Sequence, residues 1–566
     1  MLKRVAVLVL LSTLAAAWYL ALPPRVRSAP GTGPRDPVRG VIHVHTRRSD
    51  GTGTVDDVAA AAARAGLNFV VLTDHGDATR EPDPPRYRSG VLCIDAVEIS
   101  TFNGHIVALG LPASPYPLGG EARDVVEDIA RLGGISIAAH PGSARQELQF
   151  SDWSVPIDSL EWLNGDSEWR DEPVWSLWRA LMTYPFRKTE TLTSLLDRPS
   201  DVLRHWDMLT QDRRVVAIAG SDAHARIGLR TLGEPYDSAA SFQLPAYDQM
   251  FRVFSNSLDG VTLTGDAAKD AEAVIGAVRL GHVYSTIDGV GGPATLSFTA
   301  TNAAGRASAG DAIDNDGPTT FHVDVDAPSD AKIDLIRNGV VNATAGGATL
   351  DRVADGNSSP AVYRVEVSLP GAPGQPEVPW IVSNPIYLGR VKDAVPPRVS
   401  ARPGPTATAV KYGDGPADAW SIEKNSASLG AIDVAPAVRG TQLAIRYALG
   451  GTASSGPYAA FAMRAGELAT FDRLIFTARA DHPARMSVQL RQPGGPNGQR
   501  WSRSVYIDPM PREITVFFDD LKPVDASVTG RPDLDTVESV LFVFDTVNTA
   551  LGGRGQIWID DVKYGR

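Results

Sequence analysis

Residues 41–76 read VIHVHTRRSDGTGTVDDVAAAAARAGLNFVVLTDHG, and this stretch decides the fold. Val41–His45 is a short apolar run of strand type. Val55–Ala65 carries Asp56 and Asp57 in its first turn and stops at Gly66, the marks of a helix. Phe69–Thr73 is again an apolar, β-branched strand. Strand, helix and strand within about 30 residues make a βαβ unit, whose two strands pair in parallel.

The same alternation continues outward. Strands are expected at Val91–Glu98, His105–Gly110, Ile135–His140, Ile157–Leu163 and Val215–Gly220, and helices at Glu121–Leu132, Pro173–Met182 and Ser200–Gln211. Asn103-Gly104 is a hairpin signal. So many repeats favour a closed α/β barrel over residues 40–295 rather than an open sheet. Beyond about residue 295 helical periodicity disappears. Short alternating strands fill 296–395, a Pro-containing linker follows at 396–406, and a second all-β stretch occupies 407–566. The expected fold class is therefore α/β, a barrel followed by two β-sandwich modules.

Composition narrows the function. The chain has 566 residues, enough for three or four domains, with 53 Gly and 41 Pro marking many turns. With 43 % hydrophobic and 21 % charged residues, it can bury cores. Cys93 is the only cysteine, so an intramolecular disulfide framework and a cysteine zinc finger are excluded. The net charge of −12 argues against a nucleic-acid partner. Lys3 and Arg4 precede an apolar run from Val5 to Leu22, an export pattern with Ala15-Ala16-Ala17 as a small-residue cleavage site. Its 18 residues also approach the roughly 20 that span a bilayer. Residues 1–27 are thus either a signal peptide or an inner-membrane anchor, residues 28–39 a linker, and the mature protein is expected to be periplasmic or otherwise extracytoplasmic.

The chemistry gathers at strand ends. Seven of the ten histidines lie between 43 and 224, and six of those sit in or at the end of an apolar strand. His43 and His45 share a strand and, by alternation, a face. Asp50 follows in Ser-Asp-Gly, Asp74-His75 ends the next strand, Glu98 another, His105 follows the hairpin, His140 ends IAAH, and Asp222 and His224 end IAGSDAH. In an α/β barrel those ends converge on one rim. Imidazole and carboxylate groups brought together there suit divalent transition metals such as zinc, manganese or iron.

This ordered set, HVHT–SDG, TDHG, Glu98, GHIVALG, AAHP and SDAH, resembles the PHP (polymerase and histidinol phosphatase) family, and more narrowly its CehA/McbA-type metallohydrolase branch. The resemblance covers residues 40–295. It implies a distorted (β/α)7 barrel holding two or three metals. The first would take His43, His45, Glu98 and Asp222. The second would share Glu98 and take His105 and His140. The third would take Asp50, His75 and His224. Some family members have histidine at position 50.

The function expected is an exported metal-dependent phosphoesterase, in which clustered cations lower the pKa of a bridging water and the hydroxide attacks phosphorus in line. A hydrolase of carbamates or amides is the alternative, and a non-catalytic envelope-binding protein the third reading. Asp74 and Arg226 are candidates to assist the leaving group, and Arg47 and Arg48 to bind the substrate phosphate. For the arginines an exposed solubilising charge is the competing reading. Six of eleven tryptophans fall between 151 and 210. Trp169 and Arg170, expected in a loop, are the substrate-binding candidates among them. The last module resembles a jelly-roll carbohydrate-binding module through RWSRSVYIDPMPREITVFFDDLKP and WIDDVKYG. Trp420 and Trp501 are its candidate sugar platforms, core packing the competing role. The partners expected are a small phosphoester or glycan-linked substrate and cell-envelope polysaccharide.

Overall fold

The computed structural model describes residues 19, 22–27, 37–228, 241–242, 244–356, 359–389, 402–525 and 527–566. The apolar run and its alanine stretch lie almost wholly outside these residues, as do most of the 28–39 linker and residues 396–401. Among the described residues no helix is long and apolar enough to cross a membrane. The chain divides into two compact units. One contains Glu81–Pro112, Val126–Pro397 and the chain before Asp77; the other contains Asp77–Arg80, Ala113–Val125 and Arg398–Arg566.

The first unit is built on a closed barrel. Its strands are β1 (Val38–Val44), β2 (Phe69–Leu72), β3 (Arg86–Arg88), β4 (Val91–Asp95), β5 (Val97–Thr101), β6 (Gly104–Leu109), β7 (Ile135–Ala138), β8 (Ser159–Asn164) and β9 (Val216–Ala223). β1 lies parallel between β2 and β9, β2 is parallel to β4, and β7–β8–β9 are parallel. The expected strand Val91–Glu98 is broken at Ala96 into β4 and β5. β5 and β6 form an antiparallel hairpin across Asn103-Gly104, and β6 pairs antiparallel with β7. At that turn Gly104 has φ +100° and approaches the Gln149 backbone so closely that a Cβ would sit 2.4 Å from it. The barrel therefore mixes parallel and antiparallel pairs.

Two apolar layers hold it. Ile42, Phe69, Val71, Ile94, Val107, Ile137 and Ile218 pack together with Val274 and Val278 of the helix Ala267–Leu280. Val41, Val44, Val70 and Leu72 point the other way, onto Val58, Ala59 and Ala62 of the helix Val55–Arg64. That helix starts with a capping box in which Thr54 and Asp57 bond each other's backbone N–H.

The first β-module is joined to the barrel. β10 (Ile227–Gly228) and β11 (Ser241–Phe242) form a small ladder of their own. β12 (Ser255–Leu258) pairs with β1, and β13 (Val283–Thr286) pairs with β12. The strand Ile381–Ser383 then adds to β13, so the module's sheet is continuous with the barrel's. Asn384 Nδ2 donates to the Ala217 and Val283 carbonyls, and its Oδ1 accepts from the Ala217 N–H. A four-stranded antiparallel sheet containing Leu296–Asn302 and Thr319–Val325 completes that module.

In the second unit two six-stranded sheets form a sandwich around a continuous core that includes Phe461, Phe476, Phe542 and Tyr564. Trp420 and Trp501 belong to that core, 8 % and 3 % exposed, and Trp501 Nε1 donates to the Gly530 carbonyl. Rings buried in this way present no face to a sugar, so Trp420 and Trp501 pack the core and are not the expected sugar platforms. The stretch Ala113–Val125 is also part of this unit: the buried Arg485 donates to the Asp124 carbonyl at 2.9 Å, and Asn548 Nδ2 to the Pro117 carbonyl at 3.0 Å.

Candidate metal centre

The structure brings all nine proposed ligands to one rim of the barrel. His43 and His45 come from the end of β1, His75 follows β2, Glu98 lies in β5, His105 in β6, His140 follows β7, and Asp222 and His224 end β9. Asp50 sits in the turn after β1. Simple alternation does not place the first pair. Ile42 packs with one apolar layer and Val41 and Val44 with the other, which would send His43 outward. Instead His43 takes φ +71°, and the pairing of β1 shifts register there against both neighbours. Both imidazoles then point to the same spot, with their Nε2 atoms 3.1 Å apart. His140 (φ +33°), Asp222 (φ +48°) and Ala225 (φ +49°) also hold left-handed backbone. Such strain gathers where side chains must be aimed.

Glu98 is the hub. Its Oε1 is 2.8 Å from His105 Nδ1 and 2.9 Å from His140 Nε2. Its Oε2 is 3.1 Å from both His43 Nε2 and His45 Nε2, and 3.3 Å from His75 Nδ1. Asp222 Oδ1 lies 3.4 Å from His43 Nε2 and 3.2 Å from His45 Nε2. Asp50 Oδ2 lies 3.1 Å from His224 Nε2, and Asp50 Oδ1 lies 3.6 Å from His45 Nδ1 and 3.9 Å from His75 Nε2. Donor atoms group as His43–His45–Asp222, His43–Glu98–His140, His75–Glu98–His105, and His45–Asp50–His75–His224. His43, His45, Glu98, His140, His105 and Asp222 are buried; the others are half-buried.

Electrostatics follow from this crowding. Burial pushes His43 and His45 down, but their carboxylate neighbours outweigh it. His43 is held well above the ordinary histidine value by Glu161, Asp222 and Glu98, and His45 is raised to about 10 by Asp222 and Glu98. His140 and His224 are raised in the same way, against burial, by Glu98 and by Asp50 respectively. Against burial, Glu98 and Asp222 are held well below the carboxylate range by the surrounding imidazoles. In His75 burial prevails and the value falls to about 4.

Glu161, in the middle of β8, was not singled out by sequence because nothing marks it as a strand-end ligand. Its Oε1 lies 2.6 Å from His43 Nδ1, and its Oε2 accepts from the His140 N–H at 2.8 Å and from Asn164 Nδ2 at 2.7 Å. Gly220 makes room for it: a Cβ there would fall 1.9 Å from Glu161 Oε1. A carboxylate behind a metal-facing histidine fixes its tautomer and ring orientation.

Several candidates take other roles. Asp74 accepts from the Thr46 N–H and O–H, both at 2.7 Å, and from Ser49 Oγ at 2.8 Å. Only 5 % exposed, it orders the turn from His45 to Asp50. Arg48 pairs with Asp83 and, at 3.3 Å, with Asp95, and these three line a small separate cleft. It is therefore committed to those carboxylates instead of the metal rim. Arg47 is exposed in the turn. Trp169 and Arg170 lie not in a loop but in a short helix, Gly165–Arg170, capped by Asn164 Oδ1; Arg170 stacks on Trp169 and both bond Asp166.

Beside the cluster opens a cavity of about 320 Å³. His224, Arg226, Asp166 and Trp169 stand on its wall, and Leu177, Leu192, Leu195, Val253 and Phe254 make most of the remainder apolar. Arg226 Nη1 donates to the Asp50 carbonyl at 3.1 Å, which ties this cation to the ligand turn.

No protein-family model matches the chain, and no curated protein matches it. Among solved structures it is similar to a family 11 carbohydrate-binding module from Clostridium thermocellum in complex with a β-1,3-1,4-mixed-linked tetrasaccharide, at 14 % identity, over 28 % of this chain and 94 % of that one, with a TM-score of 0.24. It is similar to a family 30 carbohydrate-binding module of a cellulosomal cellulase from Clostridium thermocellum, at 9 % identity over 28 % and 96 % of the two chains, with a TM-score of 0.23. A likeness to an exo-β-agarase has 12 % identity over 26 % and 24 %, with a TM-score of 0.19.

Proposed function

We propose that this chain is an exported, metal-dependent phosphoesterase of PHP type whose substrate carries an apolar group. The observation that carries the reading is the convergence of nine histidine, aspartate and glutamate side chains on one barrel rim. The donor set itself fits cations. The Nε2 atoms of His43 and His45 lie within 3.4 Å of each other, of Glu98 Oε2 and of Asp222 Oδ1. His140 Nδ1, too, is buried without a hydrogen-bond partner. Bound divalent metals would lower the pKa of a water to near neutrality and offset phosphoryl charge.

The chain's own residues supply the rest. Glu161 accepts the hydrogen bond of His43 Nδ1–H and so turns Nε2 inward, and it fixes the His140 backbone. Asp74 shapes the turn that presents His45 and Asp50. Arg226 is placed to meet an anionic oxygen at the cavity mouth. The cavity holds the apolar part of the substrate and excludes water from it. A second reading, hydrolysis of an uncharged carbamate or amide, is favoured by one feature: apart from a few polar side chains such as His224, Arg226 and Asp166, the cavity wall is apolar.

The test is to purify the protein without chelator and assay phosphomonoesters, phosphodiesters and carbamates that share one aryl or alkyl group. Metal-dependent turnover of the phosphoesters alone supports the first reading, and of carbamates alone the second. A metal-loaded protein inert to all of them would count against both.

A further inference from the structure

The helix Val174–Thr183 has two apolar faces. Leu177, Ala180 and Tyr184 line the cavity beside His224. On the outside Val174, Trp175, Trp178, Met182 and Phe186 are 71, 66, 62, 53 and 65 % exposed. Five large apolar side chains within 13 residues form a surface that water does not favour, and such patches mark interaction sites. The polar groups among them are of one sign. No acidic residue occurs from Pro173 to Thr189, whereas Arg179 and Lys188 are exposed, in a chain of net charge −12. Tryptophan with basic residues around an apolar face is the composition of elements that lie in a membrane interface.

A second observation bears on which partner suits this face. The last residues of the apolar run Val5–Leu22 lie next to it. The Arg187 guanidinium lies 5.6 Å from the Tyr19 ring centre and donates to the Pro23 carbonyl, so the end of that run is held at the end of this helix. The end of an 18-residue apolar segment and a helix with an exposed tryptophan-rich face are thus neighbours in the first unit.

We propose that the outer face of the Val174–Phe186 segment seats in the headgroup–acyl boundary of an anionic bilayer. The inference rests on the membrane reading of the N-terminal run and not on the chemistry of the metal centre. Arg179 and Lys188 meet lipid phosphates while the aromatic rings reach the upper acyl chains. The same helix walls the cavity, so the cavity lies about one helix diameter, roughly 10 Å, from the bilayer.

The experiment uses the full chain reconstituted in lipid nanodiscs of phosphatidylcholine and phosphatidylglycerol. Single variants Met182→Cys and Phe186→Cys carry an environment-sensitive fluorophore, and Val353→Cys, exposed in the first β-module, is the control. Cys93 is buried and its thiol is pushed up to about 11, so it labels slowly. Labels at 182 and 186 should shift to the blue and be quenched by brominated lipid at least threefold more than the label at 353. Labels at both positions as open to aqueous iodide as the control would overturn the proposal, even with the protein anchored. If one variant fails to fold, the other gives the answer. An equal response in phosphatidylcholine alone would overturn the anionic preference. Because the readout is the label's environment, failure here is separable from failure of the enzymatic reading.

Discussion

Replacing Gly220 by alanine tests whether the residues behind the proposed metal ligands matter as the geometry requires. The added Cβ would lie 1.9 Å from Glu161 Oε1, 2.2 Å from its carboxyl carbon and 2.7 Å from Oε2. All three are well inside van der Waals contact, so the carboxylate must leave. Glu161 is 1 % exposed, and its three partners at 2.6, 2.7 and 2.8 Å define the position it occupies. Displacing it removes the group that fixes the His43 ring and the acceptor of the His140 N–H. Losing such an outer partner costs about 10–100-fold in metal affinity or activity, roughly 1.4–2.8 kcal/mol. Each buried donor left without an acceptor adds about 1–3 kcal/mol of folding free energy, reduced by whatever relaxation occurs. The assay is competition for metal against a chelating dye, with thermal unfolding in parallel, on wild type, Gly220→Ala, Glu161→Ala and the double variant. In the Glu161→Ala background the methyl finds space, so Gly220→Ala should there be nearly silent. Equal cost in both backgrounds, or unaltered metal affinity in Gly220→Ala, would refute the reasoning.

Four further outcomes are expected. Elemental analysis should find at least two transition metals per chain, and His43→Ala/His45→Ala should lose both metal and turnover while the β-modules stay folded; less than one metal in protein never exposed to chelator would contradict this. In the metal-free protein the raised values of His43, His45, His140 and His224 mean that protons compete for the ligands above the ordinary histidine range, so apparent metal affinity should climb from pH 6.5 towards 10 and metal addition should release protons; in the same metal-free form the stability from charged His45, fully present below about pH 6.5, should fade as pH rises to about 10, and a flat titration would be evidence against both. Truncation after residue 395 removes the partners of Tyr116 and Asp124, both buried within the second unit, so limited proteolysis should cut within 113–125, and resistance of that stretch in the truncated protein would contradict this. A reporter enzyme fused after residue 566 should be active outside the cytoplasm, and activity confined to the cytoplasm would exclude export.

The convergence of the nine histidine, aspartate and glutamate side chains was legible in the sequence because strand ends in a barrel converge whatever the details of packing. His43, His45, Asp50, His75, Glu98, His105, His140, Asp222 and His224 could be named from residue type and position alone. So could the change from α/β to all-β near residue 295, since hydrophobic period is a local property. How the ligands are aimed was not legible. Strict alternation would turn His43 outward, and only the bulge in β1, fixed by two neighbouring strands, brings it beside His45. Glu161 and Gly220 are 59 residues apart and meet only because β8 and β9 pair in parallel, so no local pattern could link them. Asp74 and Arg48 carry the right charge for catalysis or binding, but distant partners had already engaged them, Thr46 and Ser49 in one case and Asp83 and Asp95 in the other. Trp420 and Trp501 show the same limit from the opposite side. An aromatic ring in a β-sandwich is spelled identically whether it faces core or solvent, and the face it takes is decided by strand register across the whole module.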